Sequence, residues 1–459
     1  SYQIEETSVR KHLELYEENC RNATKSPDVQ ELERAQRLLL ERLKNLRFPV
    51  TKGYKSVKNL GAIIDSNRLK DTKSPGFPFK EMGMVTNQQV IARYGVDGFA
   101  ELVLQKWDDA IEYAGFCKGE FNKANKVEKS MPRVVLSHPA HKLVKNHALF
   151  GPLLARVIET WKKTPIKYAF SPLKPGHIDH LKTYLGPGEI WESDKETWDY
   201  SCFAWIYNVL REVTCELAVP AKDMTDEEMT EYKTDVRKTF DEVKITKRIR
   251  CSNGTVFATD HDGIMKSGWL MTIFINSGGQ DLVDILIMMR AGFSDSDIVK
   301  SIMISGGDDV IRKAIPGMSI EKYKEYALEL GFKTKVKSVE SFEGSEFFSS
   351  RFYEKHGASI FVPQRFTKCV RHLSVTPIQV LAGALVSHMQ NYCWDDQKFR
   401  FFERMYVEFT VSHPELFDYS KLVPQQALQF RVMGVECGAS RSKKKLEEVE
   451  WTCGCCSDC

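Results

Sequence analysis

The chain has 459 residues, 42% hydrophobic and 28% charged, with a net charge of +3. That is enough for two or three hydrophobic cores, while the charge is too small to establish a nucleic-acid partner by itself. It has no apolar run long enough to cross a bilayer. Its first residues, Ser1-Tyr2-Gln3-Ile4-Glu5-Glu6, lack the basic-then-apolar pattern of a signal peptide, so a cytosolic protein is expected. Ser in place of Met at position 1 is what release from a precursor would leave, and eight of the twelve cysteines are scattered singly, as suits a reducing compartment.

Residues 9 to 46 place Leu13, Tyr16, Leu32, Ala35, Leu38, Leu39 and Leu43 at helical spacing, with a break at Ser26-Pro27, and read as scaffold helices. Thr72 to Pro78, TKSPGFP, is a loop stiffened by two prolines around Gly76; alone it reads as a surface loop. From Lys118 to Arg133 runs KGEFNKANKVEKSMPR, where five cationic residues interleave with Glu120 and Glu128. Such runs are ordinarily solvated faces; the alternative is a basic finger, with Arg133 gripping phosphate oxygens bidentately and the lysines acting as point charges.

Ile190 to Asp199 reads as a strand that carries Asp194 to the edge of a sheet, with Asp199 at or near the start of the next helix, where Asp equally serves as a cap. Residues 221 to 242 are strongly charged and read as a helical insertion on the surface, and 244 to 260 as a hairpin with a type I′ turn at Asn253-Gly254. In Lys266 to Asn276, Ser267-Gly268 forms a loop before a helix, and Thr272 and Asn276, four apart, share a helical face. That pair either satisfies backbone groups or reads a substrate hydroxyl.

The chain is organised around Ser305-Gly306-Gly307-Asp308-Asp309, set between Ile302-Met303-Ile304 and Val310-Ile311. Glycines that accept positive backbone angles between β-branched runs predict a hairpin with two carboxylates at its tip. Adjacent carboxylates face one site only when a cation occupies it, and hard cations such as Mg²⁺ prefer carboxylate oxygens. An amphipathic helix, Ser319 to Leu330, then runs into Lys333, Lys335 and Lys337; Glu346 to Tyr353, EFFSSRFY, reads as strand and turn, and the remainder as mostly helix.

In this order the stretches resemble the motif series of viral RNA-dependent RNA polymerases of the picornavirus-like positive-strand group, over roughly residues 70 to 355, with the sobemovirus-like enzymes of invertebrates as the nearest subgroup. One departure is that Gly306 stands where picornaviral enzymes usually have Tyr. The resemblance implies an α+β right-hand polymerase with an antiparallel palm sheet backed by helices. Its fingers would take residues 1–185, its palm 186–353 with 221–265 an insertion partly of the fingers, and its helical thumb 354–442, followed by a basic, Cys-rich tail at 443–459.

The implied reaction is template-directed RNA synthesis with two cations about 3.5 to 4 Å apart. Asp194, Asp308 and Asp309 would hold Mg²⁺, for which Mn²⁺ substitutes, and Lys337 would protonate the leaving pyrophosphate, with Lys333 and Lys335 as competitors. Lys118, Lys126, Lys129 and Arg133 would bind the triphosphate, and Ser74, Gly76 and Pro78 would line the template path. Asp199, Ser267, Gly268, Thr272 and Asn276 would recognise ribose, a deoxynucleotide leaving polar groups unpaired at about 1 to 3 kcal/mol each. The expected partners are RNA template, nascent RNA, nucleoside triphosphates, a viral protein primer and other replicase proteins, in a replication complex in the host cytoplasm.

Two alternatives stand beside this reading. A reverse transcriptase would generally carry a bulky steric gate where Asp199 stands, and an inactive RNA-binding scaffold would be free to lose Asp194 or Asp308. The terminal Cys453, Cys455, Cys456 and Cys459 could supply four thiolates to zinc, but their spacing departs from paired CxxC motifs, so zinc is not expected there.

Overall fold

The structure, a computed structural model, describes residues 2–66, 68–119, 128–355, 357–416 and 423–433. Lys126 and the four terminal cysteines lie outside the described residues. Helices α1 (Tyr2–Asn22) and α2 (Val29–Leu43) flank the Ser26-Pro27 break. Asp28 restarts the helix: its side chain accepts from Glu31 N while the Glu31 carboxylate accepts from Asp28 N, a reciprocal capping box. Then follow β1 (Phe48–Pro49), α3 (Val57–Asp65), α4 (Asn87–Gln105), β2 (Tyr113–Cys117), β3 (Val134–Ser137), α5 (Ala140–Glu159) and α6 (His177–Leu185).

The chain continues through β4 (Ile190–Lys195), α7 (Ala204–Leu217), β5 (Ala218–Val219), α8 (Asp226–Lys244), β6 (Ile249–Arg250), β7 (Val256–Phe257), α9 (Thr272–Arg290) and α10 (Asp295–Lys300). The hairpin β8 (Met303–Gly306) and β9 (Asp309–Lys313) is followed by α11 (Ile320–Glu329), β10 (Thr334–Val339), β11 (Glu346–Phe347), β12 (Ser350–Lys355) and β13 (Ala358–Pro363). Helices α12 (Phe366–Leu373), α13 (Ile378–Asn391), α14 (Asp396–Ser412) and α15 (Gln425–Val432) end the described chain. No described helix is long and apolar enough to cross a membrane.

Two compact units share these elements. The first comprises Ser1–Ala169, Ser193–Val310 and Ile315–Val336. Its core forms where α9, almost wholly buried, packs against α2, α7 and β8. Inside that core the Arg42 guanidinium donates to Asp281 and to Ile298 O, so a buried charge is met by a carboxylate and a carbonyl. A second sheet, ordered β3-β2-β6-β7, joins the antiparallel β2–β3 pair to the short β6–β7 hairpin.

One expectation needs refinement and one correction here. The charged helix α8 lies at the surface as expected but is also packed: Tyr232, Val236, Phe240 and Val243, spaced by four, four and three, are buried on one face. The turn at Asn253-Gly254 is not type I′, which needs positive φ at both positions; only Gly254 has it, at +92°. One more residue lies in the loop, and Cys251 N donates to Thr255 O across it.

The second unit comprises Phe170–Glu192, Ile311–Ala314 and the chain from Lys337 onward. Phe170 packs with Phe347, Phe348 and Phe352, centroids 5.9 to 6.2 Å apart, beside the antiparallel sheet β11-β12-β13. The β11–β12 turn uses Phe348 and Ser349, both with positive φ (49° and 55°), a conformation ordinarily left to glycine and asparagine. Phe366, Tyr392 and Phe402 form a separate aromatic nucleus for the C-terminal helices.

Candidate active site

The hairpin at the centre of the sequence forms as its residues predict. All four residues of β8 are buried, and Gly307 (φ +69°) and Asp308 make a two-residue loop with positive φ at its first position only. Gly306 lies in the strand, so one glycine of the pair supplies the turn. Two neighbours hold this turn: Gly307 N donates to Ser277 Oγ at 3.0 Å, and the Ser305 hydroxyl donates to Ser277 O at 3.4 Å. On the other edge of β8, Ser305 N donates to Pro165 O and Lys167 N to Ser305 O.

β4 and β9 are adjacent in the sheet β10-β4-β9-β8. Ala314 N, just past β9, donates to Glu189 O, just before β4, so the two strands run antiparallel. The C-terminal end of β4, bearing Asp194, therefore lies beside the start of β9, where Asp308 and Asp309 emerge. Asp194 and Asp308 are exposed and Asp309 half-buried. Lys195, on the opposite face of β4, is buried and donates to Gln280 Oε1 at 2.6 Å, which ties the strand to α9. Among the described residues no three ligating side chains already surround one point. The donors are nevertheless hard, solvent-facing oxygens on neighbouring strand ends, a set that fits a hard divalent cation.

A second group of residues meets around Asp199, which follows Trp198 in a short 3₁₀ turn, Trp198–Tyr200, entered through Thr197 at φ +53°. Arg133 approaches Asp199 at 3.7 Å, so one residue expected to bind the triphosphate meets one expected to recognise ribose. Trp198 Nε1 donates to Asn276 Oδ1 at 2.8 Å. Asp199 O accepts from Met265 N, and Cys202 O from Ile264 N, so the segment before the Ser267-Gly268 loop is stitched to this turn. The buried Lys266 ammonium donates to Gly263 O and Lys244 O; burial pushes its pKa down to about 7.

Gly268 is required by space. A Cβ there would meet Leu136 O at 2.6 Å and Ser137 Cα at 2.9 Å, and its N–H donates to Leu136 O. Ser267 Oγ accepts from Leu136 N at 3.4 Å, while the Thr272 hydroxyl donates to Trp269 O and Lys266 O. Thr272 thus satisfies backbone of the loop, and Asn276 bonds to Trp198.

The remaining candidates fall around this group. Lys118 N donates to Arg133 O, closing the β2–β3 connection, and Lys129 O accepts from Lys11 Nζ. Lys333 and Lys335 pair with Glu196 at 3.3 and 2.9 Å. The Glu196 hydrogen bond and charge raise the Lys335 pKa, and Asp194 adds to that rise. Lys337 pairs with Glu192 at 3.3 Å. In the Ser74–Pro78 loop, Pro75 O accepts from Ala140 N at 2.8 Å, and Gly76 (φ +66°) passes so close to Pro139 that a Cβ would lie 3.0 Å from its Cα. Phe77 lies under the Arg250 guanidinium, 4.8 Å from the ring centroid. Trp198, Ser277, Lys195 and Lys266 were not among the expected site residues; Trp198 and Lys195 do adjoin predicted aspartates in sequence, the signal that could have pointed to them.

The fold is similar to that of the Sicinivirus 3Dpol RNA dependent RNA polymerase, at 14% identity and a TM-score of 0.67 over 89% of this chain and 86% of that one. It is a right-hand polymerase fold. Residues 207–363 match the family model described as viral RNA-directed RNA-polymerase; that segment contains Ser267, Asn276, Asp308 and Asp309 and begins after Asp194 and Asp199. The search of curated proteins gives no match. The right-hand polymerase fold and the matched viral RNA-directed RNA-polymerase segment together support RNA-directed RNA synthesis.

Proposed function

We propose that Asp194 and Asp308, assisted by Asp309, hold two divalent cations, Mg²⁺ by preference with Mn²⁺ as a substitute, and that the chain joins ribonucleotides to an RNA 3′-hydroxyl there. The observation that carries this reading is the antiparallel β4–β9 pairing, which sets Asp194 beside the Asp308-Asp309 turn. Bound cations would supply the charge neutralisation that makes the 3′-oxygen a nucleophile and the pyrophosphate a leaving group.

The chain's own residues do the positioning. Arg133, with Lys118, Lys126 and Lys129, holds the triphosphate; Ser74, Gly76 and Pro78 guide the template; and Asp199 and Asn276 read the 2′-hydroxyl, with Gly268, Ser267 and Thr272 shaping the loop beneath them. The proton donor to pyrophosphate is Lys337, with Lys333 and Lys335 as competitors; of these, Lys335 lies within the field of Asp194. Gly306 in place of Tyr speaks against a strictly picornaviral enzyme, and we place the chain nearest the sobemovirus-like enzymes, acting in a cytoplasmic replication complex. We assign residues 1–185, 186–353 and 354–442 to fingers, palm and thumb.

The test is incorporation of labelled ribonucleotides on a primed RNA template with Mg²⁺, run beside Asp308→Ala. Loss of several kcal/mol of charge stabilisation predicts a drop of about a thousand-fold or more with RNA binding retained. Synthesis by the variant at a comparable rate would overturn the metal assignment.

A further inference from the structure

Sugar recognition, in the reading above, rests on the Asn276 carboxamide, whose two ends have the same shape and opposite chemistry: one oxygen that accepts and one nitrogen that donates. Which end faces the nucleotide decides what the residue can read. Trp198 fixes that choice. An indole N–H only donates, and Trp198 Nε1 lies 2.8 Å from the Asn276 amide in a buried setting, Trp198 being 3% and Asn276 8% exposed. With the amide turned over, two donors would face each other without water, and both would go unpaired.

The indole is itself immobilised. It stacks on Phe332, with centroids 5.5 Å apart and planes at 26°. It lies over Gly279, three residues beyond Asn276 on α9, where a Cβ would come within 2.9 Å of the indole Cζ2. A glycine one turn along the helix therefore opens the slot from which the indole pins the amide. Among the described residues no hydrogen bond engages Asn276 Nδ2.

We propose that Trp198 is a positioning residue for sugar selection: by occupying Asn276 Oδ1 it turns Nδ2 toward the incoming nucleotide, so that the amide donates to the 2′-oxygen while Asp199 is left to accept the 2′-hydroxyl proton. One acceptor and one donor converging on a single atom select for a hydroxyl group, which satisfies both, over a deoxy carbon, which satisfies neither. The inference depends on Asn276 reading the sugar, and the experiment separates the two ideas.

The experiment compares kcat/KM for a ribonucleoside triphosphate and its 2′-deoxy counterpart on a primed RNA template, for the parent, Trp198→Phe, Asn276→Ala, Asn276→Asp and the Trp198→Phe/Asn276→Ala pair. Trp198→Phe keeps an aromatic ring in the stack and removes the N–H together with the pyrrole part of the indole. The ribo-to-deoxy ratio should fall about 5- to 10-fold, the loss of roughly one neutral hydrogen bond. A lower fraction of folded enzyme scales both substrates alike and leaves the ratio unmoved.

Trp198→Phe should lower the ratio no further in the Asn276→Ala background. Asn276→Asp decides the orientation even if Trp198→Phe cannot fold: with Nδ2 toward the sugar, the change replaces a donor by an acceptor and the ratio falls as in Asn276→Ala. A parent-like ratio in Asn276→Asp would mean the oxygen faces the sugar and would overturn the proposal. So would an unchanged ratio in Trp198→Phe beside a lowered one in Asn276→Ala, or an equal further fall in the double variant. An unchanged ratio in every variant would instead remove the sugar-reading role of Asn276 itself.

Discussion

Acidification should unfold this protein well above the pH at which its carboxylates are protonated. His138 and His141 are buried and His147 partly so; among the described residues both ring nitrogens of His138, and Nδ1 of the other two, have no hydrogen-bond partner. Burial, helped by Lys266 and Lys142 for His138, by Lys142 and Lys106 for His141 and by Arg68 for His147, pushes their pKa values down to about 3, about 3 and about 4. The unfolded chain binds these protons from pH about 6.5, whereas the folded chain refuses them until pH 3 to 4. Between those limits the unfolded state carries more protons, and stability falls as pH falls, by about 1.4 kcal/mol per group per pH unit.

At pH 5 the loss is about 2 kcal/mol per histidine and about 6 kcal/mol for three, an upper figure because His147 is only partly buried. A typical domain has about 5 to 15 kcal/mol in total. Urea titrations at pH 7.5, 6.5, 5.5 and 5.0 would read the effect as a falling midpoint at constant slope, with His147→Gln reducing the pH dependence by about one proton's worth. A midpoint that stays flat down to pH 5 would refute the reasoning. The neighbouring Ala140 N–H holds Pro75, so template-loop contacts should fail in the same transition.

Two further outcomes follow from the hairpin and the lysine strand. Ser277→Ala leaves the buried Gly307 N–H unpaired, at a cost of about 1 to 3 kcal/mol, and should lower kcat about 5-fold or more while KM and sugar discrimination stay near the parent values; a parent-like kcat would show that the turn holds its place without Ser277. Lys335→Met and Lys337→Met separate the proton donors: the true donor's loss should lower kcat by about a hundred-fold and remove the basic limb of the kcat–pH profile, and equal, pH-independent effects would rule out both.

Much of the architecture was legible because its signals are local. Pro27 and the Asp28–Glu31 box mark the α2 start, and Gly307 between β-branched runs marks the hairpin. The buried face of α8 was present as Tyr232, Val236, Phe240 and Val243 but outnumbered by charges, so counting charges found the exposed face and only counting spacing would have found the packed one. What joins the site is non-local. Trp198 and Asn276 are 78 residues apart, and Gly268 is fixed by a carbonyl at Leu136, 132 positions earlier, so no periodicity foretells either contact. The division of labour between Thr272 and Asn276 was likewise open in sequence, because a four-residue spacing says that two side chains share a face and not what each meets.

Asn276 and Ser277 are consecutive on α9, about 100° apart around the helix axis, and so look in different directions: one at Trp198, the other at the Gly307 turn. A buried helix moves as a body, and a slide that re-aims one of these side chains re-aims its neighbour. On the proposed reading, sugar choice and speed of bond formation therefore ride on one helix: a displacement of α9 that relaxes the one should slow the other, whereas trimming a single side chain, as in Ser277→Ala, touches one contact alone.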